Sequence, residues 1–220
     1  MLWPFVLLTF IALLIVLYTE YREASMAVAD HRTLLVGAIA KTLASLGFIG
    51  AAISAGAFDT VYGMTLFIAL AWSFLGDVLL IFKGSRPAFM FGIAAFLMAH
   101  LGYVMLFRMR GIDLTAFLVA GAAFTVVALF IWRWLSPHVH GGMRIAVAAY
   151  IGVITLMVAC AVGTAFAVPD GAFLPLAAAF LFWLSDITVA RQRFVQRSFW
   201  NRAIGLPLYF TAQFLFVALL

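Results

Sequence analysis

Two aspartates, Asp77 and Asp186, lie inside long apolar runs, at the ends of Trp72-Ser73-Phe74-Leu75-Gly76-Asp77 and Leu181-Phe182-Trp183-Leu184-Ser185-Asp186. Charge within a lipid-spanning segment is costly, and by default it marks a cavity, a partner or a function. The same runs carry Lys41 and His100, with Tyr103, Tyr150, Tyr209 and Gln213 as uncharged polar groups. Three chemistries are open to such a set. A carboxyl pair with one member protonated and one ionised can donate a proton and stabilise a developing cation, as in glycoside hydrolysis. The same pair could carry protons or cations across a membrane. With His100 it could ligate a metal, although the clustered histidine motifs typical of zinc sites are missing. Cys160, the only cysteine, leaves no intramolecular disulfide and too few thiols for a thiolate cluster.

The spacing of these residues repeats. Asp77 and Asp186 are 109 residues apart, and the same offset carries Lys41 to Tyr150 and His100 to Tyr209. This predicts two repeat halves, 1–110 and 111–220, each of four helices and parallel in topology, a known repeat arrangement in membrane proteins. At a rise of 1.5 Å per residue, Asp77 and Asp186 fall roughly 6–8 Å inside one membrane edge, Tyr150 and Tyr209 about 9 Å, Lys41 about 12 Å and His100 near the midplane. A polar cavity open to one headgroup layer is the expected result. Plainer roles exist for each supporting residue: Lys41 as a counter-ion, His100 as a packing residue, the tyrosines and Gln213 as bridges between helices.

The elements that must position these groups follow from composition. Of 220 residues, 67% are hydrophobic and 10% charged, and the mean hydropathy is +1.20. Soluble domains average about half apolar and a quarter charged residues, so the solvent of this chain is lipid. Disordered, nucleic-acid-binding and disulfide-scaffold classes are excluded; the basic residues behind the pI of 9.8 sit in short connections between apolar runs. A spanning helix needs about 20 apolar residues. Runs at 2–19, 33–54, 60–82, 88–107, 113–134, 144–166, 172–190 and 203–220 predict an all-α, polytopic bundle of eight transmembrane helices in a single domain, 1–220. The first run, with no basic leader and no small-residue cleavage motif, reads as a retained helix rather than a signal peptide. Ten Lys and Arg residues, from Arg22 to Arg202, lie in connections after odd-numbered helices, against Arg108 and Arg110 on the other side. The positive-inside rule then predicts cytoplasmic odd-numbered connections and both termini outside, in the inner (cytoplasmic) cell membrane.

Gly76-Asp77 after an apolar aromatic run, Phe91-Gly92 leading to His100 and Tyr103, Ser185-Asp186, and the late Tyr209 with Gln213 resemble the YhhN family, which includes lysoplasmalogenases. Lys41 belongs to the same pattern, although Thr42 stands where a proline often follows. The resemblance extends over most of the chain. It implies a hydrolase that cleaves the vinyl ether bond of a lysoplasmalogen to a fatty aldehyde and glycerophosphocholine or glycerophosphoethanolamine, with Asp77 and Asp186 catalytic. Substrate-binding or supporting roles fall to Lys41, His100, Tyr103, Tyr150, Tyr209 and Gln213. Water and a lysolipid of the cytoplasmic leaflet are the partners, and neither a metal nor another cofactor is called for. Arg191, Arg193, Arg197 and Arg202 are placed to attract the lipid phosphate. The main rival is a proton- or cation-coupled transporter of a small solute or lipid using the same carboxylates; against it, the polar groups cluster on one side and no polar path reaches the other. A metal-dependent lipid hydrolase using Asp77, Asp186 and His100 ranks third, and a non-catalytic scaffold last.

Overall fold

The computed structural model describes residues 2–25, 30–168 and 173–220. In them the chain forms eight α-helices and no strand: α1 (Trp3–Ser25), α2 (His31–Ser54), α3 (Val61–Leu79), α4 (Arg86–Arg110), α5 (Leu114–Leu135), α6 (Met143–Ala167), α7 (Phe173–Ala190) and α8 (Phe199–Val217). A 3-10 turn, Ser136–His138, follows α5, and a π-helical turn, Arg191–Val195, extends α7. Lipid offers no hydrogen bonds to a backbone, so apolar runs of this length must satisfy their own amides within a helix. The starts are set by polar side chains. Thr60, Ser85 and Asp113 accept from the N–H groups of Gly63, Ala88 and Ala116, three residues on. Gly111, at φ 98°, stops α4 in a conformation that a side chain would strain.

The helices match the predicted runs but overshoot several of them. The hydrogen-bond ladder does not stop where apolarity does, so α1 continues to Ser25 and carries Glu20 and Glu23 on its last turns, while α4 takes in cations at both ends. Residue 172, the predicted start of the seventh run, lies outside the described residues. The larger difference is in the count. Seven helices are long and apolar enough to cross a membrane, and α8 is not among them. Asn201, Arg202 and Gln213 lower its apolarity, and much of the helix faces protein: Tyr209, Phe210, Ala212, Gln213, Phe216 and Val217 are all buried. A helix surrounded largely by protein can carry Asn201, Arg202 and Gln213 that a lipid-facing helix could not. α5 is the opposite extreme, with only Ala120 and Leu135 buried and apolar side chains on nearly every face.

Sequential neighbours pack as pairs, α1 with α2, α3 with α4, α5 with α6 and α7 with α8. α2 also meets α3, and α6 meets α7; across the halves α4 packs on α6 and α2 on α8. The common core is aromatic. Tyr103 stacks on Phe216 at 3.8 Å between centroids, and Phe182 stands edge-on to His100 and Tyr209 at 4.6 and 5.3 Å. Aromatic pairs of this kind add to what burial alone contributes, and here they pack around His100 and Tyr103 of α4 and Tyr209 of α8.

Candidate active site

Asp77 sits in the last turns of α3 with its side chain 4% exposed. Three side chains from two other helices converge on it. From α2, Lys41 Nζ lies 3.2 Å from Oδ1 and also donates to the Asp77 carbonyl at 3.1 Å, while Ser45, one turn further along, donates to Oδ2 at 2.7 Å. From α8, Tyr209 donates to the same oxygen at 2.6 Å. Both carboxyl oxygens therefore accept, and one faces an ammonium, the environment that suits an ionised carboxylate.

Asp186, on α7, is held differently, and its side chain is 17% exposed. Tyr150 of α6 donates to Oδ2 at 2.8 Å, and His100 Nε2 of α4 lies 3.4 Å from that oxygen. The other ring nitrogen of His100, Nδ1, is 2.6 Å from the Phe96 carbonyl. A carbonyl only accepts, so Nδ1 carries the hydrogen and Nε2 faces Asp186. No ammonium or guanidinium comes within ion-pair distance of Asp186 among the described residues.

The two arrangements correspond through the 109-residue offset. Lys41 and Tyr150, each 36 residues before an aspartate, hold Asp77 and Asp186 respectively. His100 and Tyr209 cross over: the first-half histidine approaches the second-half aspartate, and the second-half tyrosine donates to the first-half one.

Both aspartates line one cavity of about 110 Å³, with Lys41, Tyr150 and Tyr209 on its polar side. Its remaining wall is largely apolar, including Ile93, Phe96, Ile131 and Ile154. A cavity of that size holds water with room to spare. Of the eight residues read from the sequence, five thus meet at the cavity and His100 stands behind Asp186. The linear depth estimate separated His100 from the aspartates, but the folded chain brings it alongside Asp186. Tyr103 and Gln213 form a second polar cluster instead, with the Tyr103 hydroxyl donating to Gln213 Oε1 at 2.7 Å and 3.4 Å from Ser73 Oγ. Neither lines the cavity. Asp77, Asp186 and His100, considered above as a metal-ligand set, do not converge: no group of three His, Cys, Asp or Glu able to hold a metal forms among the described residues.

Two glycines allow this closeness. A Cβ on Gly76 would come within 2.6 Å of the Phe96 ring, and one on Gly205 would collide with Thr188 of α7. Ser185, beside Asp186, donates to the Gly205 carbonyl at 3.0 Å and draws α8 against α7. Small residues that let helices approach closely are typical of membrane bundles.

These features define a multi-helix membrane protein with two unequally held carboxyls, one buried and one partly buried, on one cavity. The chain belongs to the YhhN family, whose model matches residues 34–220. Over 154 residues it is 28% identical to lysoplasmalogenase TMEM86A of Bos taurus and 29% identical to lysoplasmalogenase TMEM86A of Homo sapiens. Each alignment covers 68% of this chain and 62% of the relative, so the match spans under two thirds of either mammalian protein. No solved structure matches the chain.

Proposed function

We propose that this protein is a membrane hydrolase of ether lysolipids that cleaves the vinyl ether bond of a lysoplasmalogen. The observation that carries the reading is the unlike holding of two carboxyls on one cavity, Asp77 by an ammonium and two hydroxyls, Asp186 by a tyrosine and an imidazole. The names of the two mammalian relatives supply the substrate class.

In this mechanism Asp186 is the acid. With His100 Nδ1 bonded to the Phe96 carbonyl, one proton lies between Nε2 and Asp186, and Asp186 delivers it to the outer carbon of the vinyl ether. The resulting oxocarbenium ion is stabilised by the Asp77 carboxylate, which Lys41, Ser45 and Tyr209 keep charged and in place. Water adds to the cationic carbon and its released proton returns to Asp186. The hemiacetal then collapses: its hydroxyl loses a proton, the carbon–oxygen bond to glycerol breaks, and the glycerol oxygen is protonated. The products are the fatty aldehyde and the glycerophospho-base, with one water consumed. His100 is a positioning residue that holds the proton in line.

The apolar wall of the cavity, continued by α5 residues Ala128 and Ile131, would take the alkyl chain. On this reading all eight helices span the membrane, the protein being a multi-pass component of the cell inner membrane. The cavity opens toward the side carrying the odd-numbered connections, which the Lys and Arg bias assigns to the cytoplasm. The crossed partners of the aspartates support an origin by duplication of a four-helix unit spanning 1–110 and 111–220. The test is product analysis: purified protein given a lysoplasmalogen should release aldehyde and water-soluble glycerophospho-base in equal amounts. Release of a free fatty acid, or of neither product, would overturn the reading.

A further inference from the structure

Among the described helices of spanning length α5 buries the least of itself, yet it forms one wall of the two-aspartate cavity. Ala128, Ile131 and Leu135, at i, i+3 and i+7 on one face, line that cavity, while Leu129 and Phe130 on other faces are 62% and 69% exposed. Of the other helices, only α6 packs closely along α5 among the described residues. Towards α7 it reaches through side chains. Trp183 of α7 lines the cavity and stands edge-on to Phe124 of α5 at 5.6 Å, with Phe180 against both at 5.5 and 6.1 Å. At the other end of the cavity the π-helical turn sets Phe194 edge-on to Phe89 at 5.8 Å, and such turns recur at functional sites. Between these two aromatic contacts Ala128 and Ile131 of α5 and Ile187 and Ala190 of α7 all line the cavity, and all four are half-buried.

The position of Trp183 limits how a lipid chain can lie. It is three residues before Asp186, about 4–5 Å along the helix, whereas the hydrocarbon of one leaflet is about 15 Å deep. A chain whose first carbons react at Asp186 meets the indole within a few bonds and must leave sideways. We propose that the gap between α5 and α7 is a lateral passage from the cavity into lipid, that Trp183 is the end wall that turns the alkyl chain into it, and that Ala128, with a single methyl, sets its width. The inference rests on the ether-lysolipid reading of the cavity and deepens it. The chain threads in between two helices from the hydrocarbon side, and Ala128 and Trp183 are the residues that decide where it lies.

The test uses a saturated-ether lysolipid with a photoactivatable diazirine in mid-chain, which has no vinyl ether and cannot be cleaved. It is irradiated with the purified full chain in nanodiscs, the labelled peptides are mapped by mass spectrometry, and excess unlabelled lipid defines the saturable part. Saturable labelling should fall on the residues of α5 and α7 that flank the gap. Ala128→Trp, which fills the gap with an indole, should cut that labelling by about tenfold or more in a protein of unaltered thermal midpoint. Trp183→Ala, which removes the end wall, should shift it towards Phe124 and Phe180. Saturable labelling on another pair of helices, or a pattern that neither substitution alters, would overturn the passage. Because no bond is cleaved, labelling as expected without aldehyde release from the true vinyl ether would support the passage and count against the reaction alone.

Discussion

His100 Nε2 faces Asp186 Oδ2 across 3.4 Å while its Nδ1 is committed to the carbonyl of Phe96 at 2.6 Å. The imidazole therefore cannot turn away from the carboxyl without losing a buried hydrogen bond. Asp77 has no such neighbour; every group around it donates. The proposed division of labour between the two aspartates rests on this contrast.

His100→Gln should lower kcat by about two orders of magnitude with little change in KM, a loss in the range of a misplaced acid–base group. The pH dependence of kcat should also change shape, because the proton is then held by Asp186 alone. Equal loss in kcat and in the thermal midpoint, with an unchanged pH profile, would mean a packing role only.

Tyr150→Phe and Tyr209→Phe remove one hydroxyl each, and their effects should differ. Asp77 keeps Lys41 and Ser45 when Tyr209 is truncated, whereas Asp186 keeps only His100 when Tyr150 is. Tyr209→Phe should cost less than about tenfold in kcat, the scale of one net hydrogen bond, and Tyr150→Phe more. Steady-state rates on a common substrate check the order.

Lys41→Met leaves the Asp77 carboxylate buried without its cation and should destabilise the protein by about 3–5 kcal/mol. Adding Asp77→Asn to that variant should restore most of the lost stability while activity stays absent. Thermal unfolding in detergent, arranged as a double-mutant cycle, measures the coupling.

Gly205→Ala places a methyl group against Thr188, where Ser185 ties α7 to the Gly205 carbonyl. The helices must part, with an expected cost of about 1–3 kcal/mol and a marked fall in activity as Asp186 shifts. Gly152→Ala, where nothing lies within 4 Å of the added carbon, is the control that should change neither.

Much of this site could be read from the chain because membrane residence makes polar residues rare. Lys41, Asp77, Tyr150, Asp186 and Tyr209 were conspicuous against their apolar runs, and all five line the cavity. The common 36-residue interval before each aspartate was also in the sequence, and only the structure gave it meaning as a hydrogen-bonded pair. Ser45 escaped notice, although it lies one turn beyond Lys41 on the same helix face; a serine in a membrane helix is too ordinary to single out. Phe182, which packs edge-on to His100, Tyr103 and Tyr209, carries no signal among 23 phenylalanines. The interior position of α8 was illegible for the opposite reason. Hydropathy reports what a helix can tolerate, not which neighbours surround it, so a helix enclosed by protein and a weakly apolar spanning helix look alike.

The most direct test of the account is aldehyde release from a vinyl ether lysolipid by the purified protein, compared with Asp77→Asn and Asp186→Asn variants of matched folding. The account predicts release by the unmodified protein and a loss of at least about a hundredfold in each variant. Near-normal turnover in both variants would contradict it.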